Sequence, residues 1–214
     1  MLDSQITVEA LDEAPLTLTY ANLELHSLGQ RLALDGRLLL PDGQPLSLHA
    51  EAQVQPTDWL ASDAELYLSL PQSDWAAWLP ASLTGSWNLE QLKAGGEVWL
   101  DWRERGLFRA VARLNAPAVQ LGRQAGGPLT IEDLVVNAYI DRASEGYRLQ
   151  FDGLAFTFDD DRWRDTTLVV QQNLAEESWR LQADRIAVAP VAKLVEAILP
   201  LPELASEYLR GLAP

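Results

Sequence analysis

Apolar and polar residues alternate with a period of two along most of this chain, and that constrains what it can fold into. Successive side chains on a β-strand point to opposite faces, so such alternation means strands with one apolar and one polar face. Leu16, Leu18 and Tyr20 alternate with threonines, and Leu32 and Leu34 with Arg31, Ala33 and Asp35. Leu46, Leu48, Ala50, Ala52 and Val54 form a third run, and Leu66, Leu68 and Leu70 a fourth. Val98, Leu100 and Trp102 follow, then Phe108, Ala110, Ala112 and Leu114. Later runs centre on Val136, Ala138 and Ile140, on Leu149 and Phe151, on Phe156 and Phe158, on Leu168 and Val170, and on Trp179, Leu181 and Ala183. Ten or more strands are predicted. Turn signals stand between them: Pro41-Asp42-Gly43, Gly95-Gly96, Gly106, Gly126-Gly127-Pro128, Glu145-Gly146 and Asp159-Asp160-Asp161. Sequential strands joined by tight turns pair antiparallel, so the expected fold is mainly β, a long, twisted, curved antiparallel sheet.

Helical spacing is confined to short stretches. Ser73 is placed to cap a short helix over residues 73–79, ended by Pro80. Pro190 opens a segment with Val191, Leu194, Val195, Ile198 and Leu199 at helical spacing, and Pro202 opens another with Leu204, Tyr208, Leu209 and Leu212. The expected organisation is therefore a sheet region over 1–188 and a helical segment over 189–214. Tyr147-Arg148-Leu149-Gln150-Phe151-Asp152-Gly153-Leu154-Ala155 also matches Trp179-Arg180-Leu181-Gln182-Ala183-Asp184-Arg185-Ile186-Ala187, at an offset of 32 residues. Two strands and their turns fill such a period, so each repeat reads as one hairpin added to a growing sheet.

Composition narrows the chemistry. Leucine supplies 39 of the 214 residues, yet the mean hydropathy is only −0.08, so the leucines are interleaved with polar residues. No run approaches the roughly 20 apolar residues of a membrane helix, and Met1-Leu2-Asp3-Ser4 lacks the basic start of a signal peptide. The chain reads as soluble, and work outside the cytoplasm would require an export signal upstream of it. With no cysteine and only His26 and His49, disulfides, thiolate nucleophiles and Cys- or His-rich metal sites are excluded. The net charge of −15 opposes a phosphate backbone, so no nucleic-acid partner is expected. Both histidines sit at polar positions of alternating strands, and the carboxylate pairs Asp12-Glu13, Glu132-Asp133 and Glu176-Glu177 point apart on solvated faces. Asp159-Asp160-Asp161 lacks the glycine and distal glutamate of a calcium loop and reads as an acidic turn. No catalytic residue, metal ligand or cofactor site is predicted, and the chain is not expected to be an enzyme. Of the eight tryptophans, Trp59, Trp75, Trp78 and Trp87 surround the expected short helix, and Trp99, Trp102, Trp163 and Trp179 sit in strands. Indoles of this kind anchor packing or rim an apolar groove.

Two stretches resemble a known family. Trp78-Leu79-Pro80-Ala81-Ser82-Leu83-Thr84-Gly85 followed by Glu97-Val98-Trp99-Leu100 is similar to the central domain of YhdP-type proteins in the AsmA-like superfamily. So is Trp179-Arg180-Leu181-Gln182-Ala183-Asp184 leading through Ile186-Ala187-Val188-Ala189-Pro190 to Ile198-Leu199-Pro200-Leu201-Pro202 and Tyr208-Leu209. The resemblance covers roughly residues 55–214. It implies one section of a longer chain anchored in the inner membrane of a Gram-negative bacterium and projecting into the periplasm. There a β-sheet groove of β-taco type would carry phospholipid toward the outer membrane. The implied partners are phospholipid acyl chains and the flanking segments of the same chain. Groove candidates are Leu16, Leu18, Leu32, Leu34, Leu46, Leu48, Leu66, Leu68, Val98, Leu100, Phe108, Val136, Ile140, Leu149, Phe151, Phe156, Leu168, Val170 and Leu181. The competing expectation is a non-catalytic structural or protein-interaction module of the envelope, docking through its C-terminal helices.

Overall fold

The computed structural model describes residues 6–8, 16–18, 20–55, 57–76, 88–122, 128–144, 146–187 and 193. Two short strands, β1 (Ile6–Val8) and β2 (Leu16–Leu18), pair antiparallel as a separate two-stranded sheet. The ten remaining strands are β3 (Tyr20–Leu28), β4 (Arg31–Leu39), β5 (Pro45–Gln53), β6 (Asp63–Asp74), β7 (Asn88–Arg103), β8 (Gly106–Gly122), β9 (Leu129–Ala143), β10 (Gly146–Phe158), β11 (Asp161–Asn173) and β12 (Ser178–Ala183). They form one open, curved antiparallel sheet in strict chain order, each strand bonded to the one before and the one after it. A 3-10 turn, Trp59–Ala61, lies between β5 and β6.

Register follows the alternation. Once one side of a strand is apolar, a one-residue slip would turn its leucines to the polar side, so apolar rows lock neighbouring strands in step. Along β8 and β9 the pairing runs without a shift from Arg109↔Asp141 to Leu121↔Leu129.

The longer strands change phase part-way along. In β10 the apolar set passes from Leu149 and Phe151 to Leu154, Phe156 and Phe158, and the register slips between Phe151 and Phe156. Gly153 absorbs the extra residue at φ +62°, a left-handed conformation that glycine adopts without a Cβ penalty. Asp133 in β9 and Asp165 in β11 also take positive φ. In β7 the register slips at Leu89/Gln91 and Lys93/Gly95, and in β6 between Leu70 and Ser73, where Pro71 interrupts the ladder. Beyond these irregularities Leu129, Phe156, Phe158 and Trp163 close into a dry cluster, with Leu121, Ile131, Leu134, Leu154 and Ala187 against it. Phe156 and Trp163 stack at 5.4 Å.

Three expectations are corrected. The Leu149–Phe151 and Phe156–Phe158 runs belong to one strand, β10, joined through the bulge at Gly153. Gly95-Gly96 is not a turn but lies inside β7, because Gly96 at φ +149° passes so close to β8 that a Cβ would collide with the Arg113 carbonyl. Ser73 caps no helix: it continues β6, is buried, and its hydroxyl donates to the Asp42 carboxylate. Residues 77–79 of the expected helix, and all of the C-terminal helical segment except Lys193, lie outside the described residues.

Candidate apolar trough

Cross-strand pairing converts the alternation into continuous rows. One row runs Leu25–Leu34–Ala50–Leu66–Leu100–Ala110–Ile140–Leu149–Val170–Leu181, each residue directly opposite the next, across all ten strands. The adjacent row runs Leu23–Gly36–Leu48–Leu68–Val98–Ala112–Ala138–Phe151–Leu168–Ala183 through the same strands. Neither row contains a polar side chain.

Almost all members of these rows keep some exposure. Of the twenty, only Ala110 is buried, and Leu23, Leu25 and Leu181, on the two edge strands, are 51, 66 and 64% exposed. A leucine row of this length in a two-layer fold would be covered, because strands with one apolar face bury it against another element. Here the dominant contacts of each strand are with its neighbours in the sheet, and no described element forms a second layer. Among the described residues the apolar face is an uncovered strip, and these two rows run its full length.

Fifteen of the nineteen groove candidates share this face: Leu32, Leu34, Leu46, Leu48, Leu66, Leu68, Val98, Leu100, Val136, Ile140, Leu149, Phe151, Leu168, Val170 and Leu181. Four stand elsewhere. Leu16 and Leu18 lie in β2, outside the ten-stranded sheet. Phe156 belongs to the dry cluster. Phe108 is displaced by a bulge: Leu107 takes the place opposite Trp102, and the Arg103 guanidinium lies over the Phe108 ring at 5.1 Å. The candidates omitted Leu23 and Leu25 of β3, although Ala21, Leu23, Leu25 and the polar residues between them carry the same period-two signal.

The opposite face is a charged and aromatic ladder. One of its rows reads His26–Ala33–Glu51–Glu65–Asp101–Arg109–Asp141–Arg148–Gln171–Arg180. His49 Nδ1 lies 2.7 Å from Asp35 and its Nε2 3.7 Å from Glu51. The hydrogen bond to Asp35 raises the His49 pKa above the ordinary histidine value, and the adjacent Glu51 adds to the effect. Glu51 also accepts from Arg31, which holds its carboxyl below the usual range. Tyr67 donates its hydroxyl to Glu97 at 2.9 Å and packs against Trp99 at 5.4 Å; Arg113 covers Trp99 at 5.3 Å. Shallow depressions of about 370 and 350 Å³ on this face are lined by the same groups, His49 and Tyr67 in one, Trp99, Arg109 and Tyr139 in the other. No cluster of three or more His, Asp or Glu side chains suited to a metal occurs among the described residues. In the acidic turn, Lys193 Nζ lies 3.1 Å from Asp159 and 2.6 Å from Asp161, and these hydrogen bonds, Asp161 first, raise its pKa.

An open ten-stranded antiparallel sheet with one unbroken apolar face agrees with the resemblance seen in the sequence, and comparison with protein families decides it: the YhdP protein family matches residues 1–214. The chain belongs to the YhdP family. The match extends the likeness over the N-terminal fifty residues as well. No curated protein and no solved structure matches the chain. Among the described residues no helix is long and apolar enough to cross a membrane.

The internal repeat takes on structural meaning within this YhdP-family sheet. Tyr147–Phe151 opens β10 and Trp179–Ala183 lies in β12, two strands away, so Leu149 and Leu181 enter the same apolar row on either side of Val170. Repetition at a two-strand period is how a sheet lengthens while keeping one face apolar.

Proposed function

We propose that this chain is one section of a lipid conduit, holding phospholipid acyl chains along the apolar strip of its sheet. The observation that carries this reading is the pair of uninterrupted apolar rows across ten strands, partly exposed at every position but Ala110 of β8, which is buried. Nine inter-strand steps at about 4.8 Å make a strip roughly 43 Å long. One leaflet of a bilayer's hydrocarbon core is about 15 Å deep, so the strip is longer than a single acyl chain lying along it. Each methylene removed from water contributes about 0.8 kcal/mol, less the entropy of confining the chain. Because leucine, alanine and valine recur along the rows, an acyl chain meets much the same surface at each strand and no deep trap. Flat binding of this kind suits passage rather than storage.

Family membership supports placing such a section in the periplasm. In this reading the flanking segments of a longer, inner-membrane-anchored chain continue the strip toward the outer membrane. The chain does no chemistry on its cargo and needs no cofactor.

The test is face-specific capture. A photo-crosslinking residue in place of Leu66 or Leu149 should trap phospholipid in cells, and one in place of Glu65 or Gln150, the neighbours on the charged face, should not. Native mass spectrometry of the purified chain should show bound phospholipid. Equal capture from both faces, or no lipid by either method, would sink the proposal and leave a structural module of the envelope.

A further inference from the structure

The two long margins of the apolar strip differ in chemistry from β7 to β12. Toward the bulges the strip ends in the dry cluster of Leu129, Phe156, Phe158 and Trp163, each at most 8% exposed. Toward the hairpin ends on the other side, alternation carries the apolar face one step beyond Leu100, Ile140, Leu149, Val170 and Leu181. There it meets Trp102, Arg142, Tyr147, Gln172 and Trp179, with Phe108 in the bulge between the first two. Arg142 stands opposite Tyr147, and Gln172 opposite Trp179. Trp102 donates its indole N–H to the Leu60 carbonyl at 3.1 Å, which fixes that ring at the lip, and Trp179 is 65% exposed. Indole and phenol rings with an apolar body and a polar tip favour the boundary between hydrocarbon and water. Arg142 is the cation of this row. Its partner is the largely exposed Glu104 at 3.6 Å, a loose pair that leaves guanidinium N–H groups for an incoming anion.

We infer that this margin is the headgroup lip of the trough, with Arg142 receiving the phosphodiester of a glycerophospholipid whose acyl chains lie on the aliphatic rows. The inference rests on the trough reading and adds an orientation to it. An amphipathic lipid has one polar end; on the far margin the dry cluster is apolar and the nearby Lys193 is already held by Asp159 and Asp161, so the headgroup faces the hairpin ends of β7 to β10. Glu104 beside Arg142 gives the lip a counter-charge for a headgroup amine.

The test is displacement of a fluorescent fatty acid from the purified chain by dioctanoylphosphatidylglycerol, by dioctanoylglycerol with the same chains and no phosphate, and by inorganic phosphate alone. Arg142→Gln should weaken the phospholipid about fivefold, the size of one exposed charge pair, and leave the diacylglycerol unchanged. Arg148→Gln makes the same charge change on the opposite face and should alter neither. Equal phospholipid binding by wild type and Arg142→Gln, with diacylglycerol still bound, overturns the lip but not the trough. Failure of both lipids to bind wild type overturns both. Tight, Arg142-dependent binding of inorganic phosphate would mark a free-anion site and overturn the lip.

Discussion

Leu66 of β6 and Leu100 of β7 stand directly opposite each other at the middle of a ten-residue apolar row, and both remain only half-buried. A cross-strand leucine pair at the centre of a sheet is ordinarily covered. Its exposure here separates residues that keep the sheet folded from residues kept for a ligand. Truncating a fully buried large side chain costs about 3–5 kcal/mol, and a half-exposed one much less. Phe156→Ala, in the dry cluster, is therefore expected to lower stability by about 3 kcal/mol, and Leu66→Ala or Leu100→Ala by about 1 kcal/mol. Urea unfolding of the lipid-free chain checks this. Equal losses at Phe156 and Leu100 would mean that the strip is an ordinary core.

The two glycines Gly96 and Gly43 both have positive φ but differ in what surrounds them. At Gly43 a Cβ would meet nothing within 4 Å, whereas at Gly96 it would collide with the Arg113 carbonyl of β8. Gly43→Ala should cost about 1 kcal/mol from backbone conformation alone, and Gly96→Ala clearly more, because β7 and β8 must also part. Thermal unfolding of the two variants gives the comparison. A Gly96→Ala protein as stable as Gly43→Ala would show that the close approach of β7 to β8 is not needed.

The clasp joining β4 and β5 carries a pH signature. Asp35 and Glu51 flank His49 from its own face, Tyr67 stands opposite it on β6, and Arg31 shares Glu51. Because the folded-state pKa of His49 is raised, the stabilisation is fully present below the unfolded value of about 6.5 and is lost as pH rises through the folded value. Stability should fall modestly as pH rises from about 6 upward, and His49→Gln should flatten that part of the profile. Denaturation midpoints at closely spaced pH values test it; an unchanged slope in the variant would show that other groups set it.

Strand identity and the shared apolar face were legible because a period of two needs no tertiary information. The bulges were less so. Leu149–Phe151 and Phe156–Phe158 look like two strands because the phase changes at Gly153, and only pairing to β9 and β11 shows a single strand continuing through the slip. Gly95-Gly96 resembles a turn because glycine serves both turns and close backbone approaches, and local sequence does not tell them apart. Ser73 has a capping residue's chemistry, but its hydroxyl finds Asp42, thirty-one positions away. The openness of the strip was expected from the family resemblance and not from the alternation, which says which side chains share a face but not what lies over it.

Thr166 is 1% exposed, and its hydroxyl bridges two residues of its own strand, β11, at the margin of the dry cluster. The hydroxyl oxygen accepts the Trp163 indole N–H at 2.7 Å and its proton goes to the Arg164 carbonyl at 3.0 Å. Thr166→Val keeps the shape and removes both bonds, leaving a buried indole N–H without its acceptor, a loss of about 1–3 kcal/mol. Thr166→Ser keeps the hydroxyl and gives up only a methyl, so its loss should be about 1 kcal/mol. Trp163 fluorescence should report the same event, since the indole loses its acceptor in the valine variant and keeps it in the serine variant. If valine proves as stable as wild type, the cluster is held by apolar packing alone. In that case the Phe156–Trp163 stack, rather than Thr166, sets the margin where the apolar strip ends.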